Sequence, residues 1–154
     1  MAGRNRGFTL IELLIVVAII GVLAAISIPN LLNALDRGKQ KRTMSDLRSL
    51  ATAVEEYNID HSYYPAQASE ADVAASGLVG ALSPTFFRTV PATDGWSRPL
   101  RYLSDGLDYT VGSLGRDGGA GGNLTIVGGK TTDFDCDIVM SSGLFVQWPD
   151  GVQQ

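Results

Sequence analysis

Few residues of this 154-residue chain have the types and neighbours that chemistry requires. Its single histidine, His61, and single cysteine, Cys136, exclude a histidine cluster, a cysteine-rich zinc site and an intramolecular disulfide. No Ser/His/Asp set or Cys–His pair stands out, and the glycines of residues 112–129 do not complete the Gly-x-x-x-x-Gly-Lys-Ser/Thr pattern of a phosphate-binding loop. His61 therefore reads as a surface residue of the polar stretch 58–64, and Cys136 as a small, semi-buried side chain. Two acidic features remain. Glu12 is the only charge in residues 8–28, and Asp133, Asp135 and Asp137 occupy alternate positions near the C-terminus. In a strand those three would share one face; in a loop they could wrap a cation, which separates carboxylates that otherwise repel.

The elements that must position these acids differ in kind. Residues 8–28 are almost entirely Leu, Ile, Val and Ala, a run long enough to cross about 30 Å of hydrocarbon as a helix. An acid one turn inside such a helix costs about 2.5–3.5 kcal/mol at mid-bilayer and less near the interface, so Glu12 needs a positive partner. Arg4 and Arg6 precede the run, but a secretory signal has a shorter apolar segment followed by a small-residue cleavage site. Cleavage after Gly7 would place a new amine on Phe8, four residues before Glu12, in the same chain or on a neighbouring subunit.

Beyond Pro29 the pattern turns amphipathic as far as about Tyr57. Leu32, Leu35, Met44, Leu47, Leu50, Val54 and Tyr57 fall mostly at three- and four-residue steps, with charged residues between them. One face packs on a globular part and the other stays wet. Ser62-Tyr63-Tyr64-Pro65 ends the helix, because proline pushes its predecessor out of the α region. Strand-like runs at 100–103, 109–113, 124–127, 137–140 and 144–147, separated by Gly-containing turns, predict a small antiparallel sheet ending in a hairpin at Ser142-Gly143. From Asn58 onward five Lys/Arg face eleven Asp/Glu, so this part is acidic. That argues against nucleic-acid binding, which needs a basic footprint.

Gly7-Phe8-Thr9-Leu10-Ile11-Glu12, followed by the apolar run to Asn30, resembles the class III signal of type IV pilins and type II secretion pseudopilins. The resemblance implies cleavage after Gly7 by an inner-membrane prepilin peptidase and N-methylation of Phe8. It implies that Glu12 pairs with a neighbour's N-terminus during assembly, and that Gly21 and Pro29 let the helix loosen between bilayer and filament. Proline removes one helical hydrogen bond and crowds the preceding turn, which agrees with such a role for Pro29.

The rest of the chain is similar to the major pseudopilins. Residues 94–102 resemble their Asp-Pro-Trp-Gly-Asn-Pro-Tyr-x-Tyr stretch, and residues 111–118, Val-Gly-Ser-Leu-Gly-Arg-Asp-Gly, resemble Tyr-Ser-Leu-Gly-Ala-Asp-Gly. Those proteins hold calcium in the following loop, closed by acids before an isoleucine. Calcium takes six to eight hard oxygens. The resemblance implies a set of Asp117, the Leu114 carbonyl, Asp133, Asp135 and Asp137. Two departures bear on it: residues 119–132 insert an apolar Leu-Thr-Ile-Val run, and Cys136 stands where some members carry an acid.

The expected fold is α+β and pilin-like: a long N-terminal membrane-spanning helix with its C-terminal half packed on a small antiparallel β-sheet. The expected organisation is a leader at 1–7, a transmembrane and filament-core helix at 8–28, its amphipathic continuation at 29–57, and a globular periplasmic or extracellular domain at 58–154. The implied function is structural, not enzymatic: a subunit of the pseudopilus that drives protein export across the outer membrane. The implied setting is the bacterial inner membrane, single-pass, with a cytoplasmic N-terminus. Implied partners are further copies of the chain, prepilin peptidase, the assembly platform, minor pseudopilins and, before assembly, membrane lipid. The alternative is a major type IV pilin of a surface fibre for adhesion, motility or DNA uptake. The single cysteine counts against it, because many such pilins close a C-terminal loop with two. A tethered enzyme, or a module reading a secreted substrate through Tyr63, Trp96 and Trp148, has no motif behind it.

Overall fold

The computed structural model describes residues 7–119, 123–151 and 153. The expected leader, apart from Gly7, lies outside the described residues. The chain divides into two compact units, Met1–Leu35 and Asp36–Gln154.

Helix α1 (Leu10–His61) supplies the described helical part of the first unit and the first element of the second. Its N-terminal part is long and apolar enough to cross a membrane, and side chains such as Ile11, Leu14, Ile19, Leu23 and Ile28 are exposed. The segment is helical although about half of it is β-branched Ile and Val, and Pro29 lies inside the helix without ending it. The helix begins on a capping box. The Glu12 N–H donates to Thr9 Oγ1 at 3.3 Å, and the Thr9 N–H donates back to Glu12 Oε2 at 2.9 Å.

In the second unit α1 turns its buried face, Gln40, Thr43, Leu47, Leu50, Ala51, Val54 and Tyr57, toward the core. The buried face starts at Gln40 and includes polar side chains, whereas Leu32 and Leu35, expected on it, are exposed. The helix also runs one turn past Tyr57. His61 stacks on Tyr57 with ring centroids 4.0 Å apart, and Ser62 then takes a left-handed φ of 63° that stops the helix.

The sheet has six strands in the order β1-β2-β3-β5-β6-β4: β1 (Gln67–Asp72), β2 (Arg101–Ser104), β3 (Tyr109–Ser113), β4 (Gly129–Thr131), β5 (Ile138–Ser141) and β6 (Leu144–Pro149). All neighbours are antiparallel except β4 with β6, which is parallel. The alternation of β2, β3 and β5 sends Tyr102, Tyr109, Val111, Ile138 and Met140 into one core with the buried face of α1 and the short helix α2 (Leu78–Leu82). The β5–β6 hairpin forms at Ser142-Gly143 as predicted, both residues having positive φ, 46° and 78°, which suits the twist of a tight hairpin.

Three elements differ from the sequence reading. Residues 124–127 are not a strand. Their N–H groups are taken by side chains instead: Leu124 donates to Glu70, Thr125 to Asp137 Oδ2 at 2.6 Å, and Val127 to Gln147 Oε1 at 2.8 Å. The strand forms a few residues later, as β4. Strand β1, Gln-Ala-Ser-Glu-Ala-Asp, has no apolar alternation because it is a half-exposed edge. It is held by Arg101, whose Nε donates to Glu70 Oε1 at 2.8 Å and whose Nη1 pairs with Asp72. The third, α2, is a five-residue helix within an irregular stretch that carries no periodic signal.

Candidate functional site

The residues singled out in the sequence fall at three places: the start of α1, the turn at residues 94–99, and the loop pair 113–119 and 133–137. At the first, Gly7 and Phe8 precede the helix and are exposed, with no side chain near the position a Gly7 Cβ would take. Glu12 in this chain has Thr9 as its partner, through the Thr9 N–H and the Thr9 hydroxyl, which donates to Oε2 at 2.7 Å. Gly21 likewise has open space around it.

At the second place Asp94 is buried and organises a turn. Its Oδ1 accepts from the N–H groups of Trp96 and Arg98 at 2.8 and 2.9 Å, and its Oδ2 accepts from the Ser113 hydroxyl at 2.7 Å. The turn docks on α1: the Gly95 N–H donates to Thr43 Oγ1 at 2.9 Å, and Trp96 Nε1 donates to Asp36 Oδ1 at 3.1 Å. Trp96 is thus a half-buried anchor. Tyr63 is exposed, its hydroxyl 3.3 Å from that of Tyr57. Trp148 is half-buried on β6.

At the third place, the two loops come together at backbone level. Gly115 takes a φ of +68°, and a Cβ there would lie 2.7 Å from the Asp135 carbonyl oxygen. The Arg116 N–H donates to the Phe134 carbonyl at 2.9 Å. Asp117, Asp135, Cys136 and Asp137 line a cleft of about 210 Å³ with Thr125 and Gln147. Asp133 is exposed, and its Oδ1 accepts the Asp135 N–H at 3.0 Å. Asp137 is buried, and burial, followed by the charges of Asp117 and Glu70, pushes its carboxyl above the ordinary aspartate range. Burial and the neighbouring Asp133 and Asp137 likewise push the half-buried Cys136 thiol up, away from reactivity.

The residue that organises this cluster was not singled out in the sequence. Arg116 grips Asp135 with two parallel bonds, Nε to Oδ1 at 2.7 Å and Nη2 to Oδ2 at 2.9 Å, and its Nη1 lies 3.8 Å from Asp36 of α1. This pairing holds the Asp135 carboxyl below its ordinary range. The only signal was the Arg itself, standing where the similar segment has Ala.

Comparison with known proteins places this geometry. Residues 30–128 match the family of type II secretion system protein G, and residues 3–28 match the prokaryotic N-terminal methylation motif. The chain belongs to the type II secretion system protein G family. It is similar to the type II secretion system core protein G of Aeromonas hydrophila, 31% identical over 85% of this chain and 96% of that protein. With the core protein G of Pectobacterium carotovorum subsp. carotovorum it shares 35% identity over 75% of this chain and 71% of the other. The type IV major pilin of Myxococcus xanthus is 51% identical, but over only 44% of this chain and 30% of the pilin. That local match does not favour the surface-pilin alternative over a pseudopilin. No solved structure matches the chain. The family and the apolar first half of α1 together make this pseudopilin a membrane-anchored protein, and the family is a structural one.

The acids of the calcium set implied by the resemblance already have partners within the chain. Asp117 Oδ1 accepts the Gly119 N–H at 2.9 Å, Asp133 and Asp137 each accept a backbone N–H, and Asp135 gives both oxygens to a guanidinium. Among the described residues no group of three His, Cys, Asp or Glu side chains is placed to hold a metal ion. A guanidinium inside the cluster, holding both oxygens of Asp135, does not fit a calcium ion, which takes six to eight oxygen ligands around one positive centre.

Proposed function

We propose that this pseudopilin is cut after Gly7, N-methylated at Phe8, and polymerised into the pseudopilus of a type II secretion system that drives protein export across the outer membrane. Before assembly it sits in the inner membrane, single-pass, with its N-terminus cytoplasmic and the unit Asp36–Gln154 periplasmic. Its partners are other copies of itself, the prepilin peptidase, the assembly platform and the minor pseudopilins. The observation that carries this reading is the exposed Gly7-Phe8 junction directly before an apolar helix whose third residue is Glu12. A protease acting at a membrane surface needs an extended, accessible peptide. Gly7 and Phe8 precede the capping box and are exposed, so the backbone of the junction is open to an active site.

Gly7→Val tests it. A branched side chain at the cleaved position should leave the full-length precursor in the membrane fraction, with no filaments. Mass spectrometry of wild-type filaments should find a chain beginning at methylated Phe8; an intact Met1 in assembled material would sink the proposal.

A further inference from the structure

We propose that in this chain the guanidinium of Arg116 takes the place of the cation implied for this loop, so that the globular unit folds without calcium. The inference stands apart from the filament reading. Its basis is that one side chain joins three segments. Arg116 holds Asp135 through a bidentate pair, the geometry that matches a planar guanidinium to a carboxylate, and reaches Asp36 on α1 with its remaining nitrogen. Its guanidinium carbon lies 5.6 Å from the ring centroid of Phe134, which is fully buried, so the charge rests on a fixed aromatic face.

The Arg116 backbone is pinned from both sides. Its N–H donates to Phe134, and its carbonyl accepts from Arg98 Nε and Nη2 at 3.0 and 2.8 Å. A lone exposed ion pair contributes little, but a bidentate pair within a network of charges is the exception. A metal at a loop does the same mechanical work: it draws separate carboxylates to one positive centre. Here the positive centre is covalently part of the chain. A second cation among the same acids would meet the charge of Arg116.

The test uses the full chain purified in detergent. Unfolding, followed by Trp96 and Trp148 fluorescence, is compared in calcium chloride, in EGTA, and in sodium chloride at matched ionic strength. The wild-type midpoint should be the same in all three. Arg116→Ala should lower it by several degrees in EGTA, Asp135→Asn should lower it similarly, and the double variant should fall no further than the worse single one. A wild-type midpoint several degrees higher in calcium than in matched salt overturns the proposal, as does stoichiometric retention of calcium in equilibrium dialysis. So does an Arg116→Ala variant that melts like wild type. If that variant fails to fold, Arg116→Lys keeps the charge without the fork and should give a smaller drop; the wild-type dialysis decides in either case.

Discussion

Tyr102 and Tyr109 lie side by side in the core, and each phenol reaches a backbone carbonyl: Tyr102 donates to Pro65 at 2.8 Å and Tyr109 to Ala51 at 3.4 Å. Burial pushes Tyr102 up to about 12, and pushes Tyr109 up too, with the Glu55 charge adding to the effect. In the unfolded chain both titrate near pH 10. Above that pH the folded state holds more protons than the unfolded one, so stability falls as pH rises from about 10 through the folded value. Tyr102→Phe should lose about 1–3 kcal/mol at neutral pH, because the buried Pro65 carbonyl loses its donor. It should also shed one ionisation from the alkaline slope. The thermal midpoints of wild type and variant should therefore converge as pH rises from about 10 toward about 12; a constant gap would show that Tyr102 is not the titrating group.

Between elements, the decisive contact is the turn at residues 94–99 against α1. A Cβ on Gly95 would meet the backbone of Lys39, 2.8 Å from its carbonyl carbon and its Cα. Backbone cannot step aside as a flexible side chain can, so the turn would have to lift. Gly95→Ala should destabilise the globular unit by about 1–3 kcal/mol, as overpacking does. It should also weaken the Gly95–Thr43 and Trp96–Asp36 bonds together. Denaturant melts should show the loss, and Trp96 fluorescence should shift toward a more exposed indole in the native state. An unchanged melt would mean that the turn does not bear on α1. The side-chain acceptors Glu70, Asp137 and Gln147 act at the same scale. By accepting from the N–H groups of Leu124, Thr125, Val127 and Gly128 they hold an irregular segment against the sheet.

At the scale of the whole molecule, the apolar first half of α1 has its side chains exposed, and its single acid is tied into the helix start. Glu12 serves two roles that substitution separates. Glu12→Gln keeps an acceptor for the Thr9 N–H, since either residue completes a capping box, but removes the charge. Glu12→Val removes both and improves membrane insertion, because an acid in the bilayer is costly. If Glu12 pairs with the new amine at Phe8 of a neighbour, both variants should accumulate as processed monomer and yield few filaments, by electron microscopy and by shearing. Normal filament yield from Glu12→Gln would leave only the capping role.

The sequence by itself determined the parts of this protein that rest on local rules. An apolar run of spanning length is a helix whatever surrounds it, Gly7-Phe8 and Glu12 are readable as a motif, and the alternation of residues 109–113 and 138–147 dictates strands and a hairpin. Even the buried face of α1 from Leu47 to Tyr57 follows from period alone. Only the tertiary structure decided how the acids near the C-terminus are used. Asp133, Asp135 and Asp137 look alike as a spaced triplet, yet one is exposed, one is paired with Arg116 and one is buried against Thr125. The physical reason is range. Hydrophobic period is set by neighbours three or four residues away, whereas a carboxylate's role is set by which charge lies within about 4 Å. For Asp135 that charge comes from a residue 19 positions earlier, delivered by the register of β3 against β5.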